Sequence, residues 1–122
     1  MRKAQIISTI IGELGIVETE GILTEVIFGN RIEGDYILEE TELIRRTKDQ
    51  INEYLAGKRK NFDIPYSLNG TEFQVKVWNA LNDIPFGETR TYKDMAEYIN
   101  HPKAYRAVGG ANNKNPIPII IP

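Results

Sequence analysis

The chain has 122 residues, 41% hydrophobic and 26% charged, with a formal net charge of −2 and no cysteine. That composition fits one globular domain or two small ones and argues against disorder. It excludes disulfides, thiolate metal sites and a cysteine nucleophile within these residues, and the single histidine, His101, cannot form a histidine-rich metal site.

No apolar run approaches the ~20 residues needed to cross a membrane. The opening "MRKAQIISTIIGELG" is basic and partly apolar, but Glu13 interrupts it and no small-residue cleavage site follows. It is therefore not read as a signal peptide, and a cytoplasmic protein is expected. Charge is unevenly spread. Residues 1–70 carry nine basic and twelve acidic side chains, whereas residues 71–122 carry six and five. The only formal charges after residue 99 are Lys103, Arg106 and Lys114. A locally basic end points weakly to an anionic partner on one face.

Residues 4–28 are rich in Ile, Val and Thr between glycines and acidic residues, which predicts strands in an antiparallel hairpin or small sheet. Ile44, Thr47, Ile51, Tyr54 and Leu55 recur at helical spacing and predict a helix from Glu40 to Ala56. Gly57 stands where a C-terminal cap belongs, and Lys58, Arg59 and Lys60 suit the negative end of the helix dipole. The same basic triplet has a phosphate-binding reading, which is the weaker of the two. "NFDIPYSLNG" reads as an extended linker with turn signals, and a domain boundary falls near residue 70.

From Thr71, a candidate N-cap, the pattern turns helical. Phe73, Val77, Ala80, Leu81 and Ile84 form one stripe with Trp78 at its edge, ended by Pro85 and Gly87. A second helix begins at Thr91, where Thr91 and Asp94 form a capping box, and Tyr92, Met95, Ala96 and Ile99 make its apolar stripe. After the turn Asn100-His101-Pro102, a third helix is expected from Lys103 to about Asn112, with Pro102 in its first turn. Two short helices joined by a tight turn make a helix-turn-helix unit. The third helix has Ala104, Ala107, Val108 and Ala111 as its inner face. Gly109 and Gly110 each cost a helix about 1 kcal/mol relative to alanine. Either a neighbouring element packs closely there, or a ligand such as a nucleic-acid groove approaches the backbone. Tyr92 stands between core packing and a hydroxyl offered to a phosphate. Arg106 is a plain surface cation or a side chain aimed at whatever approaches.

The segment Thr71–Pro122 resembles the O6-alkylguanine-DNA alkyltransferases, also called methylated-DNA–protein-cysteine methyltransferases. The matching residues are Phe73-Gln74, Val77-Trp78, Ala80-Leu81, Ile84-Pro85-Phe86-Gly87, Thr91-Tyr92, Arg106-Ala107-Val108-Gly109, Asn115-Pro116 and Ile120-Ile121-Pro122. The stretch from Gln50 looks like the family's interdomain segment, and residues 1–49 fit its variable N-terminal domain in outline. The resemblance implies DNA repair by a single, irreversible transfer of an alkyl group from O6 of guanine to an internal cysteine, without cofactor; the zinc site of some members needs cysteines, which these residues lack. It implies a monomer on double-stranded DNA containing O6-alkylguanine, bound in the minor groove, with the damaged nucleotide flipped into a pocket. It makes Arg106 the side chain that fills the vacated stack. Tyr92 becomes a contact to the flipped nucleotide's phosphate that also lines the pocket. Ala107, Gly109 and Gly110 belong to the close-approach face, and Asn115 becomes a hinge. Tyr105 departs from the small residue common at its position and adds a groove contact.

In the family, the final proline, here Pro122, precedes a Cys-His-Arg motif whose cysteine accepts the alkyl group as a thiolate. None of that motif lies within these residues, so transfer is expected of a longer protein and not of this chain. The expected architecture is α+β. A small antiparallel-sheet N-terminal domain with its linker spans 1–70, and a helical DNA-binding domain with a helix-turn-helix spans 71–122. Two other functions fit less well: a sensor that binds alkylated DNA without accepting the alkyl group, and a helix-turn-helix transcription regulator.

Overall fold

The computed structural model describes residues 1–121. Its elements divide into two compact units, Met1–Ser67 with Pro116–Ile120, and Leu68–Asn115 with Ile121.

In the first unit, strands β1 (Arg2–Thr9) and β2 (Gly12–Thr19) form an antiparallel hairpin. β2 continues into β3 (Ile22–Phe28) through Glu20 and Gly21, both at positive φ, as a two-residue turn between twisted strands requires. A short strand β4 (Ile37–Leu38) adds beside β1, giving the order β3-β2-β1-β4. β4 runs parallel to β1, so the sheet is mixed where sequence reasoning expected an antiparallel one. A two-residue strand carries too little periodicity to be seen in sequence. The central strand β2 is buried continuously from Leu14 to Glu18, so both faces of the sheet are covered there. Helix α1 (Glu42–Leu55) packs Ile44, Thr47 and Ile51 inward. Thr41 caps its first turn by accepting from the Ile44 amide. At its other end the Gly57 and Lys58 amides donate to the Tyr54 and Glu53 carbonyls, with Gly57 at φ +75°. This is the double closure that a left-handed glycine allows. Arg59 pairs with Glu53 at 2.8 Å, so this part of the basic triplet serves the helix end.

In the second unit, α2 (Glu72–Asn82) starts with a full capping box. Thr71 accepts from the Gln74 amide, and the Gln74 side chain accepts from the Thr71 amide. Its buried residues are Val77, Trp78, Ala80 and Leu81. Trp78 is 2% exposed and sits in the centre of the core, not at the edge of the stripe. Its indole N–H donates to the Ala111 carbonyl at 2.8 Å. That polar partner lets the largest side chain go fully inside.

Helix α3 (Tyr92–Tyr98) opens with the expected Thr91–Asp94 capping box. The Thr91 backbone N–H, then its hydroxyl, holds the Asp94 carboxyl below its ordinary pKa. Near the other end the Tyr98 hydroxyl donates to Asp83 at 2.8 Å, and that carboxylate raises the phenol's pKa. Helix α4 (Tyr105–Asn113) begins two residues later than expected, and Pro102 is outside it. The cause is the end of α3. Asn100 takes φ +63°, its amide donates to the Glu97 carbonyl, and the His101 amide donates to the Ala96 carbonyl. Closing α3 this way uses up the turn. Residues 101–104 then make a separate turn, with the Ala104 amide on the His101 carbonyl, before α4 can start.

The two adjacent glycines of α4 have different surroundings. A Cβ on Gly109 would lie 2.9 Å from Cε2 and 3.1 Å from Cδ2 of Tyr92, so the Tyr92 ring rests on the bare backbone there. A Cβ on Gly110 would meet nothing within 4 Å. Replacing Gly110 with alanine should stabilise the protein by about 0.5–1 kcal/mol through helix propensity alone. The same change at Gly109 forfeits that gain by pushing the Tyr92 ring outward, and should leave stability within about 1 kcal/mol of wild type. Urea unfolding of the two variants measures both. Trp78→Phe removes a buried hydrogen bond and part of a ring, and should destabilise by about 2–4 kcal/mol in the same experiment.

Candidate nucleic-acid interface

The helix-turn-helix unit is α3, the turn and α4. On α4 the residues Val108, Gly109 and Ala111 are buried, while Tyr105, Arg106, Ala107, Gly110, Asn113 and Lys114 are exposed at the helix or its end. Positions 106, 107, 110, 113 and 114 share one helical face. Ala107, expected on the inner face, is exposed, because Val108 and Ala111 centre the buried stripe and leave Ala107 at its edge; Ala104 is the half-buried N-cap.

This face is low in relief. Ala107 and Gly110 leave the helix backbone bare between two cations, Arg106 and Lys114. Arg106 lies with its guanidinium carbon 5.9 Å from the centre of the Tyr105 ring. Among the described residues no carboxylate lies in ion-pair contact with Arg106, unlike Arg90, which pairs with Glu88 at 3.0 Å. Arg106 therefore keeps its charge available to an anion.

Tyr92 begins α3, and its side chain is not in the core as one sequence reading had it. It is 46% exposed, lying over Gly109. Asn112 donates its side-chain N–H to the Tyr92 hydroxyl oxygen at 3.4 Å. Sequence reasoning missed Asn112. The available signal was its position three residues after Gly109, on the same face, so that a ring resting on Gly109 comes within its reach.

Asn115 donates its side-chain N–H to the Ile121 carbonyl at 2.7 Å, closing a loop of seven residues. Ile117, Ile120 and Ile121 within it are buried. Ile119 has φ +77°, an uncommon conformation for a β-branched residue. Pro122, expected to border a pocket, lies outside the described residues.

A cavity of about 450 Å³ in the same unit is lined by Asp83, Arg90, Asp94 and Tyr98 among others. Those four side chains are engaged in the helix ends and ion pair already described, and the candidate interface is the outer face of α4 with Tyr92. Tyr92, Tyr105, Arg106, Ala107, Gly109 and Gly110 all belong to α3 or α4, with Gly109 beneath Tyr92 rather than at the surface. Among the described residues no group of three or more His, Asp or Glu side chains is placed to hold a metal. No helix of the described residues is long and apolar enough to cross a membrane.

Two family models cover almost the whole chain. Residues 2–68 match the 6-O-methylguanine DNA methyltransferase, ribonuclease-like domain, and residues 72–122 match the 6-O-methylguanine DNA methyltransferase, DNA binding domain. The chain is 53% identical over 88 residues to a methylated-DNA–protein-cysteine methyltransferase of Methanosarcina acetivorans, an alignment covering 72% of this chain and 56% of that protein. It is 43% identical over 121 residues to the constitutive enzyme of that name in Bacillus subtilis, covering 93% of this chain and 73% of the other. It thus spans little more than half the length of the Methanosarcina relative. Among solved structures, the O6-methylguanine methyltransferase of Mycobacterium tuberculosis superposes with a TM-score of 0.92 at 38% identity, covering 100% of this chain and 76% of that one. The OGT protein of the same organism, solved in complex with DNA, superposes with a TM-score of 0.91 at 38% identity, covering 98% and 74%. The chain belongs to the 6-O-methylguanine DNA methyltransferase family.

Proposed function

We propose that the protein repairs DNA by moving an alkyl group from O6 of guanine in duplex DNA to one of its own cysteines, once per molecule. The observation that carries this is the outer face of α4, with Arg106 out of ion-pair contact and a bare backbone at Ala107 and Gly110, in a chain of this family. The 122 residues contain no cysteine, so the acceptor lies in sequence outside them. In this reading residues 71–122 are the DNA-binding domain, residues 1–70 are the N-terminal domain, and the protein acts as a monomer.

Each side chain has a physical role. The α4 face enters the minor groove, where Ala107 and Gly110 let the backbone approach closely. Arg106 fills the space left in the stack by the flipped nucleotide, offsetting part of an unstacking cost of a few kcal/mol. Tyr92 meets the phosphate beside that nucleotide, and Tyr105 adds a groove contact. Asn115 holds the loop that leads from α4 toward the acceptor, with Pro122 at the edge of the pocket.

Two substitutions separate binding from stability. Arg106→Ala should weaken binding to an O6-methylguanine duplex by about 1–3 kcal/mol and abolish the fluorescence rise of a flipped base analogue. Gly110→Ala should weaken binding although it stabilises the fold. Unchanged affinity and fluorescence in both variants contradict the assignment. With a duplex labelled on the O6-methyl group, no label should move to the 122 residues. A chain extended to include the acceptor cysteine should take it up.

A further inference from the structure

We infer that Asn112 is a positioning residue that turns the Tyr92 hydroxyl into an outward-facing hydrogen-bond donor. The inference rests on the proposed reading of Tyr92 as a phosphate contact and adds the group that orients it.

Two observations fix the phenol. The ring lies on Gly109, where a Cβ would come within 2.9 Å of it. The Asn112 side-chain N–H reaches its oxygen at 3.4 Å. A phenol has one proton to donate and lone pairs to accept with. An amide N–H can only donate, so it occupies a lone pair of the Tyr92 oxygen. The phenol's proton then has no role in that contact and is left to point away from α4, toward an external acceptor. A phosphate oxygen is such an acceptor, and it cannot donate back. Were residue 112 an acceptor, the phenol would spend its proton inward and turn a lone pair toward the phosphate. Asn112 is half-buried at the end of a short helix, and its side chain can be changed without opening the core.

The test is a double-mutant cycle on the 122-residue chain with a duplex carrying O6-methylguanine. Tyr92→Phe should weaken binding about tenfold, the scale of a hydrogen bond to a charged group. Asn112→Leu should weaken it roughly two- to fivefold and leave the melting temperature within about 2 °C. In the Tyr92→Phe background, Asn112→Leu should have no further effect. A duplex with a neutral methylphosphonate beside the lesion, which offers a weaker acceptor, should reduce the effect of Asn112→Leu. Asn112→Asp should weaken binding more than Asn112→Leu, since it accepts the phenol's proton. In the free protein, the Asn112 side-chain amide resonances should move on Tyr92→Phe.

If Asn112→Leu costs the same with Phe at position 92, or the same against methylphosphonate DNA, the positioning role is wrong. It is also overturned if Tyr92→Phe weakens binding while Asn112→Leu does not. If Tyr92→Phe itself leaves affinity unchanged, the phosphate reading of Tyr92 fails and the inference falls with it.

Discussion

The second unit depends on one hydrogen bond inside its core, from the Trp78 indole to the Ala111 carbonyl. Ala111 is in the last turn of α4, where its carbonyl accepts from the Lys114 amide at 3.1 Å and also from the indole at 2.8 Å. The indole N–H, buried with its ring, needs an acceptor, and this carbonyl supplies it. The bond therefore fixes both where α4 ends against α2 and which way α4 is rotated. With Ala111 and Val108 turned inward, positions 106 and 110 have to face out, and Ala107 is exposed beside them. The orientation of the proposed DNA-binding face follows from a contact on the opposite side of the helix.

Much of this was legible in the sequence where a single local rule decides the outcome. Thr71 and Thr91 each cap a helix as expected, whereas Thr41, expected inside the first helix, caps it instead. Gly57 ends α1 as its position implied. The rules failed where two of them competed. Pro102 suits the first turn of a helix, yet Asn100 closes α3 in a left-handed conformation and the turn that follows displaces the start of α4. Asn is one of the few residues able to do this besides glycine, so the signal was present but its consequence was three residues away. Trp78 was placed at the edge by its position beside the stripe Phe73, Val77, Ala80, Leu81 and Ile84. The partner that lets it be buried, a backbone carbonyl 33 positions on, has no sequence signature. β4 was missed for a similar reason, since two residues make no pattern and only its pairing with β1 defines it.

The site was partly legible, and the adjacent glycines show why. Sequence offered two explanations for Gly109-Gly110, close packing or approach of a ligand, and had no means of choosing. Gly109 takes the first. Gly109 is beneath the Tyr92 ring, while Gly110 faces open space. The resemblance to the alkyltransferases carried the identity of the family, through dispersed residues whose order and spacing composition alone does not reveal. The Asn112–Tyr92 contact belongs to neither source, because it depends on the rotation of α3 against α4.

The most direct test of the account is a titration of the isotope-labelled 122-residue chain with an O6-methylguanine duplex, followed residue by residue by NMR. The account predicts that the largest shifts fall on Tyr92 and on positions 105, 106, 107, 110 and 113, with the strands β1 to β3 little affected. Shifts that centre on the sheet, or that spare the outer face of α4, would contradict it.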